Sequence, residues 1–343
     1  IKGNTTLNGA QLNVNLGGSG TSDLVRIDGE IAFGNTNNTV NIIDSSLVVG
    51  SSKISYKIME VLGTTNHAIS LDKFNNKVML NGSYFTPRYG TATLVIKSGS
   101  NKTDNELWLD IEKTTGTLRL EWGGDVAKSG SYGVWSDEND KNLNWVNSQY
   151  RMDFQQKDFA YFASTFTDEN GQIQTANQLV SVESNGVNTA GMHVASGNYT
   201  FTGGAINGNN DGAGGAYNTG SLLVDGSASA NFNNSLVEFK QGMTVNDTAK
   251  VTLSGSGKFA DTMNIALAAG TTLTFKKSEA YAQNGIISGA GTVVKSGNYT
   301  LTLNGAHTGE GQFLHNTGIL NLNGSWAGDY VQATAAGALN VQN

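Results

Sequence analysis

Leu301 and Leu303 alternate with Thr300, Thr302 and Asn304, and the same two-residue rhythm returns at Leu320 and Leu322, then at Leu339 and Val341. Successive side chains of a strand leave on opposite faces, so this rhythm puts the aliphatic groups on one face and Thr and Asn on the other. The inward pairs recur every 19 residues, from 301 to 320 to 339. An even spacing near 20 residues is the mark of a solenoid, in which each coil buries its apolar face on its neighbours. Antiparallel β-sandwich modules also give strands with regular turn signals. The even repeat and the Thr and Asn faces favour the solenoid.

Composition agrees. Charged residues make up only 14% of the 343, against the usual value of about a quarter, while there are 44 glycines and a single proline. Glycine supplies positive φ at tight corners, whereas proline would remove a donor from a strand ladder. Disorder would need more charge and more proline. Cysteine is absent, which excludes disulfides, thiolate metal sites and a cysteine nucleophile. A formal charge of −7, with the 21 Lys and Arg scattered, argues against nucleic acid, which demands a basic face. No apolar run reaches the roughly 18 residues a membrane helix needs. Beginning at Ile1 and stopping at Asn343 in mid-pattern, the chain reads as a piece of something longer.

From the amino terminus, short alternating segments follow one another: Leu12, Val14 and Leu16, then Val25 and Ile27, then Ile31 and Phe33, then Val40 and Ile42. Ser52 to Leu62 fits either a helix face or a strand, and its β-branched flanks favour a strand. Two further short strands are expected between Asn66 and Asn81, and Pro87 marks a loop. Leu94 to Ile96, Leu107 to Ile111 and Leu118 to Trp122 each alternate clearly. This places the end of one β-solenoid module at residues 1–118.

Four of the five tryptophans lie between Trp108 and Trp145, which sets off residues 119–166 as a Trp-rich junction. Trp122, Trp135 and Trp145 surround a polar loop containing Asp137 and Asn139. Rings beside Asn and Asp form a usual sugar-binding surface, since apolar sugar faces stack on rings while polar groups bond hydroxyls. The same rings could instead fill the space where one module meets the next, because large aromatics bury the most area. Calcium would want alternating carboxylates and a glycine turn, but Lys141 follows Asp137 and Asn139, so a solvated turn is the better account. Phe154, Phe159, Tyr161, Phe162 and Phe166 read as a buried aromatic seam.

Residues 167–343 form the second solenoid segment. Ser196-Gly197-Asn198-Tyr199-Thr200 returns as Ser296-Gly297-Asn298-Tyr299-Thr300, which reads as internal repetition. Inward pairs at Leu222 and Val224, Val237 and Phe239, Val251 and Leu253, and Leu273 and Phe275 are less evenly spaced. Gly203 to Gly220, nearly all Gly, Asn and Ala, reads as a surface excursion without strand.

Within 286–323, Ile287 to Gly305 reads ISGAGTVVKSGNYTLTLNG, followed by Ala306-His307-Thr308-Gly309. This segment resembles the passenger-associated repeat of bacterial autotransporters, in outline I-S-G-x-G-x-L-x-K-x-G-x-x-x-L-T-L-x-G-A-x-x-x-x-G. His307 and Glu310 replace the usual Asn-Thr-Tyr flavour, and the glycine thread weakens after Gly311. Trp122, Trp135 and Asn144-Trp145 with Phe154 to Phe162 resemble the segment that opens long autotransporter-like repeats, and Gly20 to Asp28 the strand region that closes such a module. The resemblance implies a right-handed parallel β-helix displayed on the bacterial surface after export through the outer membrane. It also implies a carboxy-terminal β-barrel translocator as partner. At about 20–25 residues per coil, the whole chain would hold roughly 14 to 17 coils and, at about 4.8 Å per coil, form a rod on the order of 70 Å.

The chemical inventory is sparse. Gly17-Gly18-Ser19-Gly20 lacks the Asp of a serine-protease context, and His67, His193, His307 and His315 show no partner pattern. Gly255-Ser256-Gly257-Lys258 lacks the spacing of a phosphate loop and reads as a turn. A polysaccharide lyase or hydrolase would need paired carboxylates, or acids with Arg or Lys, on adjacent coils. Asp153 with Asp158 and Glu112 with Glu121 come nearest, and neither pair has a basic partner in view. The expectation is a non-enzymatic, cofactor-free stalk or adhesin that binds a host glycan or surface protein along its side, with self-association a further option. Its candidate contacts are Trp122, Trp135, Trp145, Asp137 and Asn139, and the alternative is the polysaccharide-degrading enzyme.

Overall fold

The structure, a computed structural model, describes residues 1–17, 20–43, 53–80, 83–85, 90–99, 104–112, 117–124, 133–136, 144–147, 150–152, 154–156, 158–168, 170–208 and 219–342. The chain forms two compact units, Ile1–Thr115 and Gly116–Asn343, each around its own hydrophobic cluster. Among the described residues the regular structure is strand, apart from one 3-10 turn at Leu71–Lys73.

The second unit is a parallel β-helix. A typical level contributes Gly191–Val194, Asn198–Gly203 and Ile206–Gly208, and the next contributes Leu222–Val224, Ser229–Asn234 and Val237–Phe239. Each strand pairs in parallel with its counterpart one level on: Met192 with Leu222, Phe201 with Phe232, and Ile206 with Val237. Stacking builds a ten-stranded sheet, a nine-stranded sheet, and a third face made of a three-stranded and a four-stranded piece. In-register parallel stacking repeats like side chains directly above one another. Phe201 and Phe232, for example, lie face to face at 5.1 Å, an arrangement worth about 0.5–1.5 kcal/mol beyond the area it buries.

The nine-stranded sheet carries one strand per level, which corrects the expected 14 to 17 coils. The estimate ran one solenoid through both units and assumed an even period. In the structure the step from Met192 to Leu222 takes 30 residues, and the step from Met243 to Ile265 takes 22. Only on the third face, from Leu301 to Leu320 to Leu339, does the 19-residue step hold. Leu301, Leu303 and Leu320 are buried as expected. Leu339 and Val341 keep register with Leu320 and Leu322 but are 37% and 58% exposed, because no described strand lies over them.

The two Ser-Gly-Asn-Tyr-Thr copies do not occupy equivalent levels. The first leads into Asn198–Gly203 of the nine-stranded sheet and the second into Thr300–Leu303 of the third face. They share a corner rather than a period. In both, the glycine has a left-handed φ (+92° at Gly197, +103° at Gly297), and the buried tyrosine reaches back into the preceding level. Tyr199 Oη donates to the Ala163 carbonyl at 2.6 Å and Tyr299 Oη to the Phe275 carbonyl at 2.9 Å. A second correction concerns Gly203 to Gly220, where Ile206–Gly208 is a strand; Gly208 lies against the Phe239 ring, a contact that leaves no room for a Cβ. Gly255 to Lys258 is a turn, closed by Gly257 N–H donating to Ser254 O at 3.0 Å.

The first unit opens in the same way. Thr5–Leu7 pairs in parallel with Ile31–Phe33, Gln11–Val14 with Thr39–Ile42, and Val25–Ile27 with Ile54–Val61. Ser52 to Leu62 therefore contains the expected strand. Between Asn66 and Asn81 there is one strand, Met79–Leu80, and the 3-10 turn, rather than two strands. Glu106–Glu112 and then Thr91–Lys97 add to Ile54–Val61 in antiparallel fashion. Pro87 lies outside the described residues.

Candidate functional site

Ring exposure decides the Trp-rich stretch. Trp122, Trp135 and Trp145 are 1%, 0% and 1% exposed. Trp145 meets Trp122 at 5.0 Å, Trp135 at 5.4 Å and Phe154 at 4.6 Å, and Phe162 closes the cluster at 5.4 Å. Trp122 Nε1–H donates to the Asn177 carbonyl at 2.7 Å. The sugar-stacking expectation for these three residues is corrected: their faces are spent on one another, and they form the start of the second unit's core. The strand Arg119–Trp122 needs that filling, because antiparallel strands Trp145–Asn147 and Tyr150–Met152 close the sheet at this edge. Asp137 and Asn139 lie outside the described residues, as do Lys141, Ser19 and Asp153. Of the expected aromatic seam, Phe154, Phe159, Phe162 and Phe166 are buried; Tyr161 points outward and is half-buried.

Asp158 is buried, and one carboxylate oxygen accepts the Gln155 N–H at 2.9 Å. Glu112 and Glu121 belong to different units. Among the described residues, no three His, Asp or Glu side chains are placed to hold a metal ion.

Two outward clusters replace the expected site. In the first unit, Leu107, Leu109 and Ile111 point into the core, so the intervening Trp108 faces out, half-buried. Its Nε1–H donates to Glu106 Oε2 at 2.8 Å, and the Lys97 ammonium sits 3.9 Å from the ring centroid. Lys57 pairs with Glu106 at 2.8 Å and Lys53 with Asp110 at 2.6 Å. Burial alone would raise both carboxyls. Hydrogen bonds from Lys57 and Trp108 to Glu106, and from Lys53 and Ser55 to Asp110, outweigh it and hold both below the usual range.

In the second unit a ladder climbs the outer face of the ten-stranded sheet. Parallel register places Glu121 beside Tyr161, Tyr161 beside His193, and His193 beside Leu223. The Arg119 guanidinium lies 3.6 Å from the Tyr161 ring centroid, and its Nη2 is 3.6 Å from Glu121. Tyr161 and His193 meet edge to face at 5.1 Å. His193 Nε2 is 2.8 Å from Asp225 Oδ1, so the neutral imidazole places its proton on Nε2 and leaves Nδ1 as an acceptor. The pairing of His193 with a carboxylate 32 residues away has no signature in the sequence, since the excursion at 209–218 stretches the level between them.

No family model matches the chain, and no curated protein or solved structure matches it.

Proposed function

We propose that the chain is a passenger segment of a bacterial autotransporter, displayed on the cell surface as a non-enzymatic stalk or adhesin that binds along its side. The observation that supports this most is the fit of the Ile287–Gly309 repeat to the stack. Its ISG forms the strand Ile287–Gly289, its TVVK the strand Thr292–Lys295, and its TLTL the strand Thr300–Leu303. The repeat thus supplies one strand to each face of one level. A stack of this kind adds coils one at a time to an existing edge, which suits folding as the chain emerges from a pore. A β-barrel translocator encoded beyond Asn343 belongs to this reading, as does a host glycan or surface protein as ligand.

Intact cells making the full-length protein should lose this segment to added protease while cytoplasmic markers survive. Protection of the segment until the cells are lysed would reject surface display. The enzyme alternative gains some support from the Arg119–Asp225 ladder, which sets acids beside a basic residue on adjacent levels. It predicts new reducing ends or unsaturated sugars after incubation with polysaccharide, and the stalk reading predicts neither.

A further inference from the structure

Most of the ten-stranded sheet presents small uncharged side chains outward. Beyond His193 the in-register column runs Leu223, Thr244, Ala266, Ser288 and Thr308, and the stack holds together with these alone. The stacking geometry therefore does not require the large titratable side chains of the earlier levels. We infer that the ladder of Arg119, Tyr161, His193 and Asp225 is a binding site for a neutral glycan; this rests on the lateral-binding reading above and gives it a place and a ligand class.

Three features carry the assignment. The first is unspent hydrogen-bonding capacity. The side chains of Arg119 and Glu121 are 34% and 36% exposed, and those of His193 and Asp225 22% and 27%. Arg119 and Glu121 sit 3.6 Å apart, longer than a good charge-assisted hydrogen bond, and the geometry leaves His193 Nδ1 free to accept. The second is rigidity. Arg119 is held flat on Tyr161, Tyr161 is held against His193, and His193 is fixed by Asp225, so little side-chain freedom is lost on binding. The third is charge. One guanidinium faces two carboxylates, Glu121 and Asp225, and the whole chain carries −7. An anionic glycan would meet net repulsion here, whereas hydroxyl groups can donate to the carboxylates and accept from the guanidinium, while a sugar's apolar face lies along the aromatic edge. Three steps of about 4.8 Å separate the Arg119 level from the Asp225 level, a length of roughly 14 Å that suits an oligosaccharide better than a single sugar.

The test is calorimetric titration of the full chain with neutral hexasaccharides (cello-, malto-, laminari- and chito-series) and with oligogalacturonate as the anionic comparison, alongside adhesion of intact cells. At least one neutral series should bind. Tyr161→Ala and His193→Ala should each weaken it by about tenfold, the loss of roughly one good contact, with melting temperature unchanged within a few degrees. Thr244→Ala and Ser288→Ala should bind like the parent. Because an alanine change could disturb folding, His193→Gln and Arg119→Gln serve as a second pair, expected to lower affinity with an unaltered melt. Binding of oligogalacturonate only, or affinity indifferent to all four ladder changes, would overturn the site. If cells adhere but no neutral glycan binds, the site falls and lateral binding stands; if neither occurs, both fall.

Discussion

Trp135 meets Trp145, Phe154 and Phe162 at 5.4, 5.3 and 5.5 Å and is wholly buried, so it acts as filling rather than as a contact. Trp135→Ala should cost about 3–5 kcal/mol of stability, read by urea unfolding; an unchanged midpoint would contradict the packed cluster. Leu303 and Thr302 give a sharper pair, adjacent in one strand but on opposite faces. Leu303→Asp places an unpaired charge where exposure is 0% and should cost several kcal/mol, roughly 3–5. Thr302→Asp should stay within about 1 kcal/mol, and equal thermal shifts for the two would refute the assigned facing. The facing of such residues was legible in the sequence because alternation is local. By the same rule Leu107, Leu109 and Ile111 pointing inward means that Trp108 points outward, a signal available in the sequence that weighing all the tryptophans together obscured. The His193–Asp225 pair was not legible, because it depends on how many residues an intervening excursion consumes.

Corners and columns, rather than single residues, decide how one level sits on the next. Gly289 has φ +91°, and a Cβ there would collide with the Leu267 carbonyl oxygen one level below. Gly289→Ala should therefore cost about 2–4 kcal/mol from strain plus the clash, measurable as a lowered unfolding midpoint. On the nine-stranded sheet the inward column runs Phe201, Phe232, Leu253, Phe275, Lys295, His315 and Gln332. Its last three levels are polar. Lys295 is buried, donates to the carbonyls of Gly297 and Thr317 at 2.8 and 2.7 Å, and is pushed down to about 8 by that burial. His307, also fully buried, is pushed down to about 4, and its Nδ1 accepts the Ile287 N–H at 3.0 Å. His315 is lowered too, by burial and then by Lys295. Above about pH 6.5 both folded and unfolded His307 are neutral and nothing is lost. As pH falls from there toward 4, only the unfolded chain takes the proton, so stability declines by on the order of 2–3 kcal/mol. Lys295 works at the other end, with stability rising as pH climbs above 8. Melting temperatures should drop between pH 7 and 4.5, and His307→Leu should shrink that drop; an equal drop in the variant would reject the assignment. The repeat's sequence indicated where levels lie, but not that its lysine and histidines point inward, because polar residues at inward positions oppose the expectation that a core is apolar.

At the scale of the whole molecule, the two units have separate cores, so heating should give two transitions. Leu109→Ala should lower one and Trp135→Ala the other, each leaving its counterpart in place, and a single calorimetric peak shifted by both would show the units to be coupled. The solenoid class was legible from end to end because every coil repeats the same burial problem. The length of the stack was not, because excursions change the residue count per level without changing the strands that stack. The tyrosines that reach back across a level have a mechanical consequence. Tyr199, Tyr281 and Tyr299 each tie a coil to the backbone of the coil before it, at Ala163, Phe259 and Phe275, and no disulfide shares the load. A tether pulling on the carboxy terminus would load these ties in series and peel the rod coil by coil. Each of the 19- to 22-residue levels would release about 60–75 Å of slack, so a shear force could be dissipated in small steps while the coils nearer the Trp-filled end stay wound.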